Sequence, residues 1–555
     1  MQQFPTLFPT LLNALDHHAR DRPNAIMLRR LGFREKPHDE LGFADLQQAA
    51  QRFARTLCTL TKPHDRVLLA YPSSNAFVIA FLGCLYAGRI AVPVSLGSNA
   101  RNGERIAAIG KDCDARLLVS PSLNSVGLTC AVPEGCLAVE HATLAEGDDD
   151  ATLPCAAPSD ICFLQYTSGS TGQPKGVIVS HENLTVNLTQ IQNAIGHTHS
   201  RIVSWLPQFH DMGLIGTMLL PIFAGIQTTY MSPLEFVQRP IRWLQALSEY
   251  RAHGSVAPNF GFSYVLDRLR PGDLEGLDLS CVTTLMCGSE PINADVLDRF
   301  VKSLAACGLA ETAPMPTYGL AEATLMVSAH PRSSRIRTLR PELDGPIAYK
   351  GTTELVACGY PATGLDLRIL DEQGRDCPEG VEGEITVGGA NVCVGYWGKT
   401  PHTGLARTGD LGFLWDGELF VTGRKKDLII LRGRNLYPTD IETLSESCTP
   451  RAGANSCAAI GLTSTDGTES LVVAQEIPAA SMRDLDPDAL RTDIAGRILD
   501  HLGIVPAQVL LLRSNTLPRT TSGKISRFGL KAALKRGEID EAFSTHATQT
   551  GILHA

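Results

Sequence analysis

Apolar runs of strand length alternate with longer segments of helical periodicity through the first 120 residues of the chain. Helical spacing predicts helices at 43–60 and 75–87, and apolar runs predict strands at 65–71, 90–94 and 116–119. Strands joined by helices form βαβ units, in which helices cover a largely parallel sheet. The pattern predicts an α/β fold, and 555 residues are too many for a single core.

The composition argues against several classes of protein. The net charge of -9 provides no basic surface of the kind that nucleic-acid-binding proteins use, so we expect no nucleic-acid partner. The most apolar stretch, 77–94, is interrupted by Gly88 and Arg89, which predicts no transmembrane segment. The first 23 residues lack a basic segment and are broken by prolines, unlike a signal peptide.

The cysteines indicate a reducing compartment. None of the fifteen belongs to a C-x-x-C pair, and most lie in apolar runs. Reduced, buried thiols fit this pattern better than disulfides or a zinc site. We therefore expect a cytoplasmic protein.

Residues 166–176, YTSGSTGQPKG, are suited to bind an anion and cannot form a core. Glycines let backbone N–H groups approach a phosphate, hydroxyls donate hydrogen bonds, and Lys175 adds positive charge. Apolar segments on both sides, 160–165 and 177–179, predict a loop held between strands, which argues against a surface linker. The stretch is not the P-loop of kinases, because Pro174 stands where that motif requires glycine.

The remaining sequence falls into three parts. Turn-rich stretches at 204–216, 286–292 and 317–324 continue the α/β body. Beyond residue 356, short strands with hairpin signals predict an antiparallel, β-barrel-like unit. A boundary near residue 426 precedes a compact α+β unit, which ends in a second turn rich in glycine, serine and threonine, PRTTSGKISR, carrying Lys524.

Five motifs give the chain a close resemblance to the acyl-adenylate-forming superfamily of acyl-CoA synthetases, luciferases and peptide-synthetase adenylation domains. The motifs occur in the order found in that superfamily and span most of the chain. They are YTSGSTGQPKG (166–176), TYGLAEAT (317–324), RTGDLG (407–412), GRKKDLIILRGRNLYP (423–438) and PRTTSGKISR (518–527). The resemblance implies a large N-terminal domain, 1–425, and a small mobile C-terminal domain, 426–555, with Lys426 at the hinge.

Within that superfamily the chain most resembles the fatty acyl-AMP ligases. The phrases SWLPQFHDMGLIG, VACGYP and GRNLYPTDIE are similar to theirs, and Ala321 stands where many relatives carry threonine. These ligases resemble acyl-CoA synthetases with an insertion, here about 328–356, within the 36 residues of 323–358. In the family the insertion is associated with hindering transfer to free coenzyme A; the alternative is a variable surface loop without consequence.

The resemblance also implies a role for individual residues toward ATP and Mg²⁺. Glu322 would hold Mg²⁺, Asp410 and Arg424 would bind the ribose hydroxyls, and Lys524 would reach the carboxylate and the α-phosphate. Tyr318, in the Tyr318-Gly319 pair, would stack on adenine. The residues expected to hold the phosphates are Thr167, Ser168, Gly169, Ser170, Thr171, Gly172 and Lys175, and those expected to form the other wall of the adenine slot are Gly288, Ser289 and Glu290.

Each assignment has a structural alternative. Asp410 could cap a turn, Glu322 could cap a helix, and Lys524 could be a solvated lysine. His210 could orient the substrate carboxylate at the mouth of an acyl channel or be a hydrogen-bonded structural histidine. Apolar residues within 218–223 and 259–266 are candidates for the channel wall.

The sequence thus predicts an enzyme that converts a fatty acid and ATP to acyl-AMP and pyrophosphate. The acyl group would then pass to the phosphopantetheine thiol of a holo acyl carrier protein in trans, because no G-x-D-S-[LI] attachment motif follows Lys524. An acyl-CoA synthetase is the alternative within enzymes, and a catalytically silent adenylate-binding scaffold the alternative outside them. We favour a monomer.

Overall fold

The computed structural model describes the chain from residue 7 to residue 543 with short gaps. The described residues are 7–32, 37–96, 100–124, 128, 132–146, 150–168, 174–196, 201–340, 347–349, 351–401, 403–431, 434–449, 455–463, 469–483, 485–520 and 523–543.

The α-helices are α1 (Leu11–Asp21), α2 (Phe43–Leu60), α3 (Asn75–Tyr86), α4 (Ala100–Asp112), α5 (His141–Ala145), α6 (His181–Ile195), α7 (Asp211–Leu214), α8 (Leu220–Ala224), α9 (Pro233–Gln238), α10 (Ile241–Glu249), α11 (Asn259–Leu266), α12 (Ala294–Leu304), α13 (Pro438–Cys448), α14 (Pro487–Leu502) and α15 (Arg527–Lys535). A π-helical turn (Ile215–Leu219) joins α7 to α8, and 3₁₀ turns occur at Ala305–Cys307, Ala321–Ala323 and Lys425–Asp427.

The strands are β1 (Ile26–Leu31), β2 (Pro37–Gly42), β3 (Arg66–Tyr71), β4 (Ile90–Ser95), β5 (Leu117–Ser120), β6 (Leu137–Glu140), β7 (Ile161–Ser168), β8 (Pro174–Ser180), β9 (Arg201–Ser204), β10 (Gln227–Tyr230), β11 (Gly254–Ala257), β12 (Thr284–Cys287), β13 (Pro314–Gly319), β14 (Met326–Ala329), β15 (Thr338–Leu339), β16 (Leu355–Val356), β17 (Tyr360–Pro361), β18 (Asp366–Leu370), β19 (Gly383–Gly388), β20 (Ala406–Trp415), β21 (Glu418–Arg424), β22 (Ile429–Leu431), β23 (Arg434–Leu436), β24 (Cys457–Thr463), β25 (Glu469–Ile477) and β26 (Gln508–Arg513).

Two large sheets form the body of the molecule. The first has the order β6-β5-β3-β4-β7-β8 and is parallel except for β8, which forms an antiparallel hairpin with β7. The second has the order β17-β14-β13-β12-β11-β9-β10-β1-β2, with a parallel centre and antiparallel edges. The prediction of a largely parallel, helix-covered sheet is confirmed.

Burial on both faces explains why the central strands are almost continuously apolar. In β3, Val67 and Leu69 join a core that includes α1, α2, α3, α6 and α8 together with residues of both sheets. Leu68 and Ala70 point to the opposite face, where α4 packs. The helices of the shared core therefore lie between the two sheets, while α10, α11 and α12 cover the other face of the second sheet.

A smaller antiparallel unit follows the body. Strands β18, β19, β20 and β21 pair in sequence order, and β16 approaches this sheet through a bridge between Ala357 and Phe420. This confirms the predicted change to hairpin-connected strands beyond residue 356. Its importance for the site is that β20 carries Asp410 and β21 ends at Arg424.

The C-terminal unit has its own apolar cores, built on the sheet β24-β25-β26 and helices α13, α14 and α15. Helix α14 spans the 487–502 segment that has helical periodicity. Asp486 caps its first turn by accepting from the N–H groups of Asp488 and Ala489, and Gly503 ends it in the left-handed conformation at φ 68°.

Two expectations from composition can be compared with the fold. Within the described ranges, no helix is both long enough and apolar enough to span a bilayer. The fourteen cysteines in those ranges are free thiols, and Cys84, Cys162 and Cys287 are buried as their apolar flanks predict.

Candidate active site

Strands β7 and β8, which flank the glycine-rich stretch in sequence, pair as an antiparallel hairpin at the edge of the first sheet. Thr167 pairs with Lys175 and Ser168 with Pro174, so these residues close the hairpin on either side of the loop. The other predicted phosphate-binding residues, Gly169, Ser170, Thr171 and Gly172, lie outside the described residues. The predicted arrangement of strand, loop and strand is confirmed by the pairing of β7 with β8.

Glu322 lies close to this hairpin, although 147 positions of sequence separate it from Lys175. It belongs to the 3₁₀ turn after β13, and its carboxylate Oε1 accepts a hydrogen bond of 2.6 Å from the Tyr396 hydroxyl. The Lys175 ammonium group lies 5.3 Å from the centroid of the Tyr396 ring. A carboxylate and a lysine therefore face the same tyrosine.

Asp410 is buried and bonded through both carboxylate oxygens. Its Oδ2 accepts from the Tyr318 hydroxyl at 2.7 Å, and its Oδ1 lies 3.0 Å from Arg424 Nε. Burial and the Asp410 charge raise the pKa of Tyr318 well above its usual value, so the hydroxyl remains a donor. The antiparallel register of β20 and β21, which pairs Asp410 with Arg424, brings these two residues together.

The backbone near Tyr318 leaves no room for larger residues at two glycines. A Cβ at Gly319 would lie 1.9 Å from the carbonyl oxygen of Leu325, and one at Gly288 would lie 2.7 Å from that of Thr317. The next residue, Ser289, adopts a φ of 76°, which is unfavourable for a residue with a side chain. The ends of β12 and β13 thus approach each other closely beside Tyr318.

Lys524 comes from the C-terminal unit and lies among carboxylates of the body. Its ammonium group interacts with the charges of Asp211, Glu290 and Asp410, and also with that of Arg424. Burial lowers the pKa of Lys524 from its usual value, and the three carboxylates oppose that shift. Lys524 is therefore not the solvated lysine that the sequence left open.

A small hydrogen-bonded turn holds Lys524 in place. The Thr520 N–H donates to the Lys524 carbonyl at 2.7 Å, and the Lys524 N–H donates to the Thr520 hydroxyl at 3.2 Å. Gly523 has a φ of 87°, and a Cβ there would lie 3.6 Å from the Phe260 ring of α11. The turn thus docks against the body through the residue that precedes Lys524.

Glu290 lies where the two units meet. Its Oε1 accepts from the Phe260 N–H at 2.5 Å, and its Oε2 lies 3.4 Å from Asn455 Nδ2 of the C-terminal unit. Burial raises the pKa of Glu290 to about 7, against the opposing effects of the Phe260 hydrogen bond and of Lys524. The expected place of Glu290 beside adenine did not predict these contacts with Phe260 and Asn455.

Arg519 connects this contact to the lysine turn. Its guanidinium donates to the carbonyl oxygen of Asn455 at 3.0 Å and to that of Gly523 at 3.3 Å, and pairs with Glu476 at 3.1 Å. The segment that touches Glu290 and the turn that carries Lys524 are therefore held by one side chain.

His210 pairs with its neighbour in sequence. His210 Nδ1 lies 2.6 Å from Asp211 Oδ1, which also accepts from the Met212 N–H at 2.7 Å. Burial raises the pKa of Asp211, but the neighbouring His210 and Lys524 outweigh it and lower the pKa to about 2. Asp211 is thus a carboxylate at neutral pH. Its contact engages Nδ1 of His210, and both roles given for this histidine stay predictions.

Lys426 lies in the 3₁₀ turn that follows β21, before the first strand of the C-terminal unit. Burial lowers its pKa, as do the nearby charges of Arg424 and Lys175. The predicted hinge residue is therefore close to Arg424 and Lys175 as well as to the connection between the units.

The segment 328–356 contacts both the antiparallel unit and the start of the C-terminal unit. Arg337 bonds Asp416 at 2.5 Å and Glu418 at 3.0 Å, which anchors the segment to the β20–β21 hairpin. Residues 341–346 and 350 lie outside the described residues. The described part is not a loosely attached surface loop.

At its far end, the same segment bonds α13. The N–H groups of Thr352 and Thr353 each donate to the Asp440 carboxylate at 3.1 Å, and the Thr353 hydroxyl bonds it too. The Tyr349 and Tyr437 rings lie 4.8 Å apart. Asp440, in the first turn of α13, is therefore joined to the segment by three hydrogen bonds.

Sequence reasoning missed four residues of this arrangement: Asp211, Tyr396, Asn455 and Arg519. Asp211 follows His210 directly within the HDMG motif, so the motif carried a signal for it. Arg519 likewise lies within the PRTTSGKISR motif. For Tyr396 and Asn455 no local pattern exists, because their contacts form only when distant segments come together.

Comparisons with known proteins agree on one family. Residues 15–397 match the family described as AMP-binding enzyme. The medium-chain-fatty-acid–[acyl-carrier-protein] ligase JamA of Moorena producens is 34% identical over 96% of each chain. The long-chain-fatty-acid–AMP ligase FadD26 of Mycobacterium marinum is 34% identical over 94% of this chain and 97% of its own.

Solved structures point the same way. A structure from a study of fatty acyl-adenylate ligases from E. coli and L. pneumophila has a TM-score of 0.87 at 32% identity, covering 96% of this chain and 99% of its own. The fatty acyl-adenylate ligase from L. pneumophila in complex with acyl adenylate and pyrophosphate has a TM-score of 0.72, also at 32% identity, covering 95% and 96%. These likenesses extend over both the body and the C-terminal unit.

Proposed function

The chain belongs to the AMP-binding enzyme family, and we propose that it acts within that family as a fatty acyl-AMP ligase. It joins a fatty acid to ATP, releases pyrophosphate, and transfers the acyl group from acyl-AMP to the phosphopantetheine thiol of a separate holo acyl carrier protein. The observation that carries the proposal is the docking of the Lys524 turn against the body beside Phe260 and Glu290, where the carboxylates Asp211, Glu290 and Asp410 act on its ammonium group.

The chemistry requires positioning and neutralisation of charge more than a covalent intermediate. A carboxylate oxygen attacks the α-phosphorus of ATP, the bond to pyrophosphate breaks, and a mixed anhydride results. Negative charge on the α-phosphate oxygens increases during this step, and a fixed ammonium group stabilises it most where water is excluded. Lys524 supplies that group in our proposal.

We assign Asp410 and Arg424 to the ribose. An ionised carboxylate can accept more bonds than the two it makes with Tyr318 and Arg424, so its remaining lone pairs are suited to the two ribose hydroxyls. In our proposal the Tyr318 ring forms one wall of the adenine slot and Gly288, Ser289 and Glu290 form the other, because a flat base stacks favourably on an aromatic face.

The donor set around Glu322 fits Mg²⁺ held jointly with ATP. Among the described residues no group of three or more acidic, histidine or cysteine side chains could hold a metal alone. Mg²⁺ commonly binds through one or two protein carboxylates and completes its shell with phosphate oxygens and water. We propose that Glu322 is that carboxylate and that Thr167, Ser168 and Lys175 hold the phosphates beside it; bound Mg²⁺ would neutralise the departing pyrophosphate.

The acceptor is assigned from the segment 328–356. Transfer to a thiol requires the C-terminal unit to move so that Lys524 leaves the site. The bonds of Thr352 and Thr353 to Asp440 oppose that movement, because three hydrogen bonds to a buried carboxylate must break. We propose that a docked carrier protein supplies the energy for this change and that free coenzyme A does not.

Three further assignments belong to this proposal. We divide the chain into an N-terminal domain, 1–425, and a C-terminal domain, 426–555, which turn about Lys426. Free thiols throughout the described chain favour a reducing compartment, and so the cytoplasm. We also favour a monomer.

The direct test supplies the purified protein with a radiolabelled fatty acid, ATP and Mg²⁺, and either coenzyme A or a holo carrier protein. We expect labelled acyl-AMP in both mixtures and labelled thioester mainly on the carrier protein. Efficient acylation of coenzyme A would replace the ligase assignment by that of an acyl-CoA synthetase. Failure to form acyl-AMP from any fatty acid would support the scaffold alternative.

A second experiment addresses the acceptor alone. Replacing Asp440→Ala should raise transfer to coenzyme A by about tenfold or more, since each hydrogen bond to a charged group is worth about 1.5–3 kcal/mol. Deleting 331–344 removes the Arg337 anchor and should also raise it. Asp486→Ala is the matched control, because that carboxylate caps α14 and none of its described contacts is with the segment. An unchanged ratio of the two thioesters in both variants would contradict the role of the segment.

A further inference from the structure

Residues 393–397 form a strap that joins the two parts of the phosphate side of the site. One end of the strap bonds the backbone of Glu322, and the other end pairs with β8 next to Lys175. The three bonds run from Cys393 N–H to Glu322 C=O at 2.8 Å, from Ile178 N–H to Gly395 C=O at 3.0 Å, and from Trp397 N–H to Gly176 C=O at 2.7 Å.

Tyr396, at the centre of the strap, directs its side chain at both functional groups. Its hydroxyl donates to Glu322 Oε1 at 2.6 Å, while its ring lies 5.3 Å from the Lys175 ammonium group, within the range of a cation–π contact. Burial and the Glu322 charge raise the pKa of Tyr396, so its hydroxyl keeps the proton that it donates.

The backbone bonds of the strap do not depend on the side chain at position 396. The Tyr396 ring also packs against the apolar core, but its hydroxyl bond and its cation–π contact are with groups to which the proposed function assigns roles. A hydrogen bond to one carboxylate oxygen fixes the rotation of that carboxylate and leaves the other oxygen for a metal.

We propose that Tyr396 is a positioning residue for the phosphate side of the site. It orients Glu322 toward Mg²⁺ through its hydroxyl and orients Lys175 toward the nucleotide phosphates through its ring. This inference rests on the proposed function, because it assumes that Mg²⁺ and ATP bind at Glu322 and Lys175. Tyr396 thus makes two contributions, one through its hydroxyl and one through its ring. One substitution can remove the first alone, and another can remove both.

The test measures equilibrium binding of a fluorescent, non-hydrolysable ATP analogue without fatty acid, in EDTA and in Mg²⁺. Tyr396→Phe keeps the ring and loses the hydroxyl, so we expect unchanged affinity in EDTA and about a fivefold loss of the tightening caused by Mg²⁺. Tyr396→Leu loses both contacts and should also weaken binding in EDTA by about threefold. Tyr360→Phe, at an exposed tyrosine on β17, is the control and should behave as the wild type.

Glu322→Gln supplies the background that distinguishes positioning from support of the fold. In that background Tyr396→Phe should have no further effect, because the hydroxyl acts through the carboxylate. Wild-type Mg²⁺ dependence in Tyr396→Phe, or an equal loss of affinity in both backgrounds, would overturn the role of Tyr396 and leave the proposed function intact. Absence of nucleotide binding by the wild-type protein would refute the proposed function and this inference together.

Discussion

Two lysine turns of similar composition differ in how the fold places them. Lys175 follows a glycine-rich loop between β7 and β8, which pair within one sheet, so its position is set when that sheet forms. Lys524 follows Gly523 in a turn of the C-terminal unit and reaches the site only when that unit docks against Phe260 and Glu290. From this comparison we propose that Lys175 contributes to binding and that Lys524 contributes to the chemical step only when the C-terminal unit is docked.

The surroundings of the two lysines support the same division. Lys175 faces an aromatic ring, a neutral partner that leaves its charge for a ligand. Lys524 faces three carboxylates, Asp211, Glu290 and Asp410, which favour its charged form while burial opposes it. A buried ammonium group held in this way is suited to stabilise charge that increases during a reaction.

Removing the two ammonium groups one at a time should have the largest effects, and these effects should differ between the two lysines. Lys524→Ala should lower the rate of acyl-AMP formation by about 100- to 1000-fold with little change in the affinity for ATP, because its contact strengthens only in the transition state. Lys175→Ala should mainly raise the KM for ATP, by about tenfold, since its contact is made before the reaction as well. Rapid-quench measurement of acyl-AMP distinguishes an effect on the rate from an effect on the KM for ATP. If both variants changed kcat and KM in the same way, the proposed difference between the two lysines would be wrong.

Titration of Glu290 should change the contribution of Lys524 to the rate and leave that of Lys175 unchanged. Glu290 has a pKa of about 7, raised by burial, so it is protonated below that pH and ionised above it. The groups that face it are Lys524, Arg519, Asn455 and the Cys287 thiol. Because the ionised form attracts Lys524, acyl-AMP formation should rise about fivefold as the pH increases through 7.

Glu290→Gln is the matched variant for that pH dependence. It keeps the size of the side chain and should give a lower rate without the rise near pH 7. At higher pH the wild type should lose activity because burial lowers the pKa of Lys524, and Glu290→Gln should lose it at a lower pH, because the Glu290 charge raises that pKa. An unchanged rise near pH 7 in Glu290→Gln would assign it to another group.

The smallest predicted effect comes from backbone strain at Gly523. Gly523→Ala places a side chain at a φ of 87°, which costs about 1–2 kcal/mol, and should slow acyl-AMP formation severalfold by disturbing the Lys524 turn. Gly496→Ala is the control in the same unit, since a Cβ in that part of α14 meets nothing within 4 Å. It should stabilise the unit by about 0.5–1 kcal/mol in thermal unfolding. Equal rates for Gly523→Ala and the wild type would show that the turn tolerates displacement.

Local patterns predicted much of the fold because their signals are complete within a short window. The 43–60 segment forms α2 and the 487–502 segment forms α14. A strong cap or stop signal also marks each end of α14. Motif resemblance likewise singled out Glu322, Asp410 and Lys524, whose roles stay predictions. Glu322 and Lys524 lie in turns and Asp410 lies within β20, each in a short sequence that is distinctive on its own.

Contacts between distant segments could not be predicted in the same way. Asp211, Glu290 and Lys524 are separated by 79 and 234 positions, and only the docking of the C-terminal unit brings them together. Tyr396 carries no periodic signal, since its importance comes from a strap that crosses between β8 and the turn of Glu322. Tertiary docking decides these positions, and a single sequence does not encode it in any local pattern.

The most direct test of the central claim is exchange of labelled pyrophosphate into ATP by the wild-type protein across a panel of fatty acids. The proposed activity predicts exchange that requires both Mg²⁺ and a fatty acid, because the reverse of adenylation re-forms ATP from acyl-AMP and pyrophosphate. No exchange with any carboxylic acid, under conditions in which ATP binds, would contradict the assignment of this chain as an adenylating enzyme.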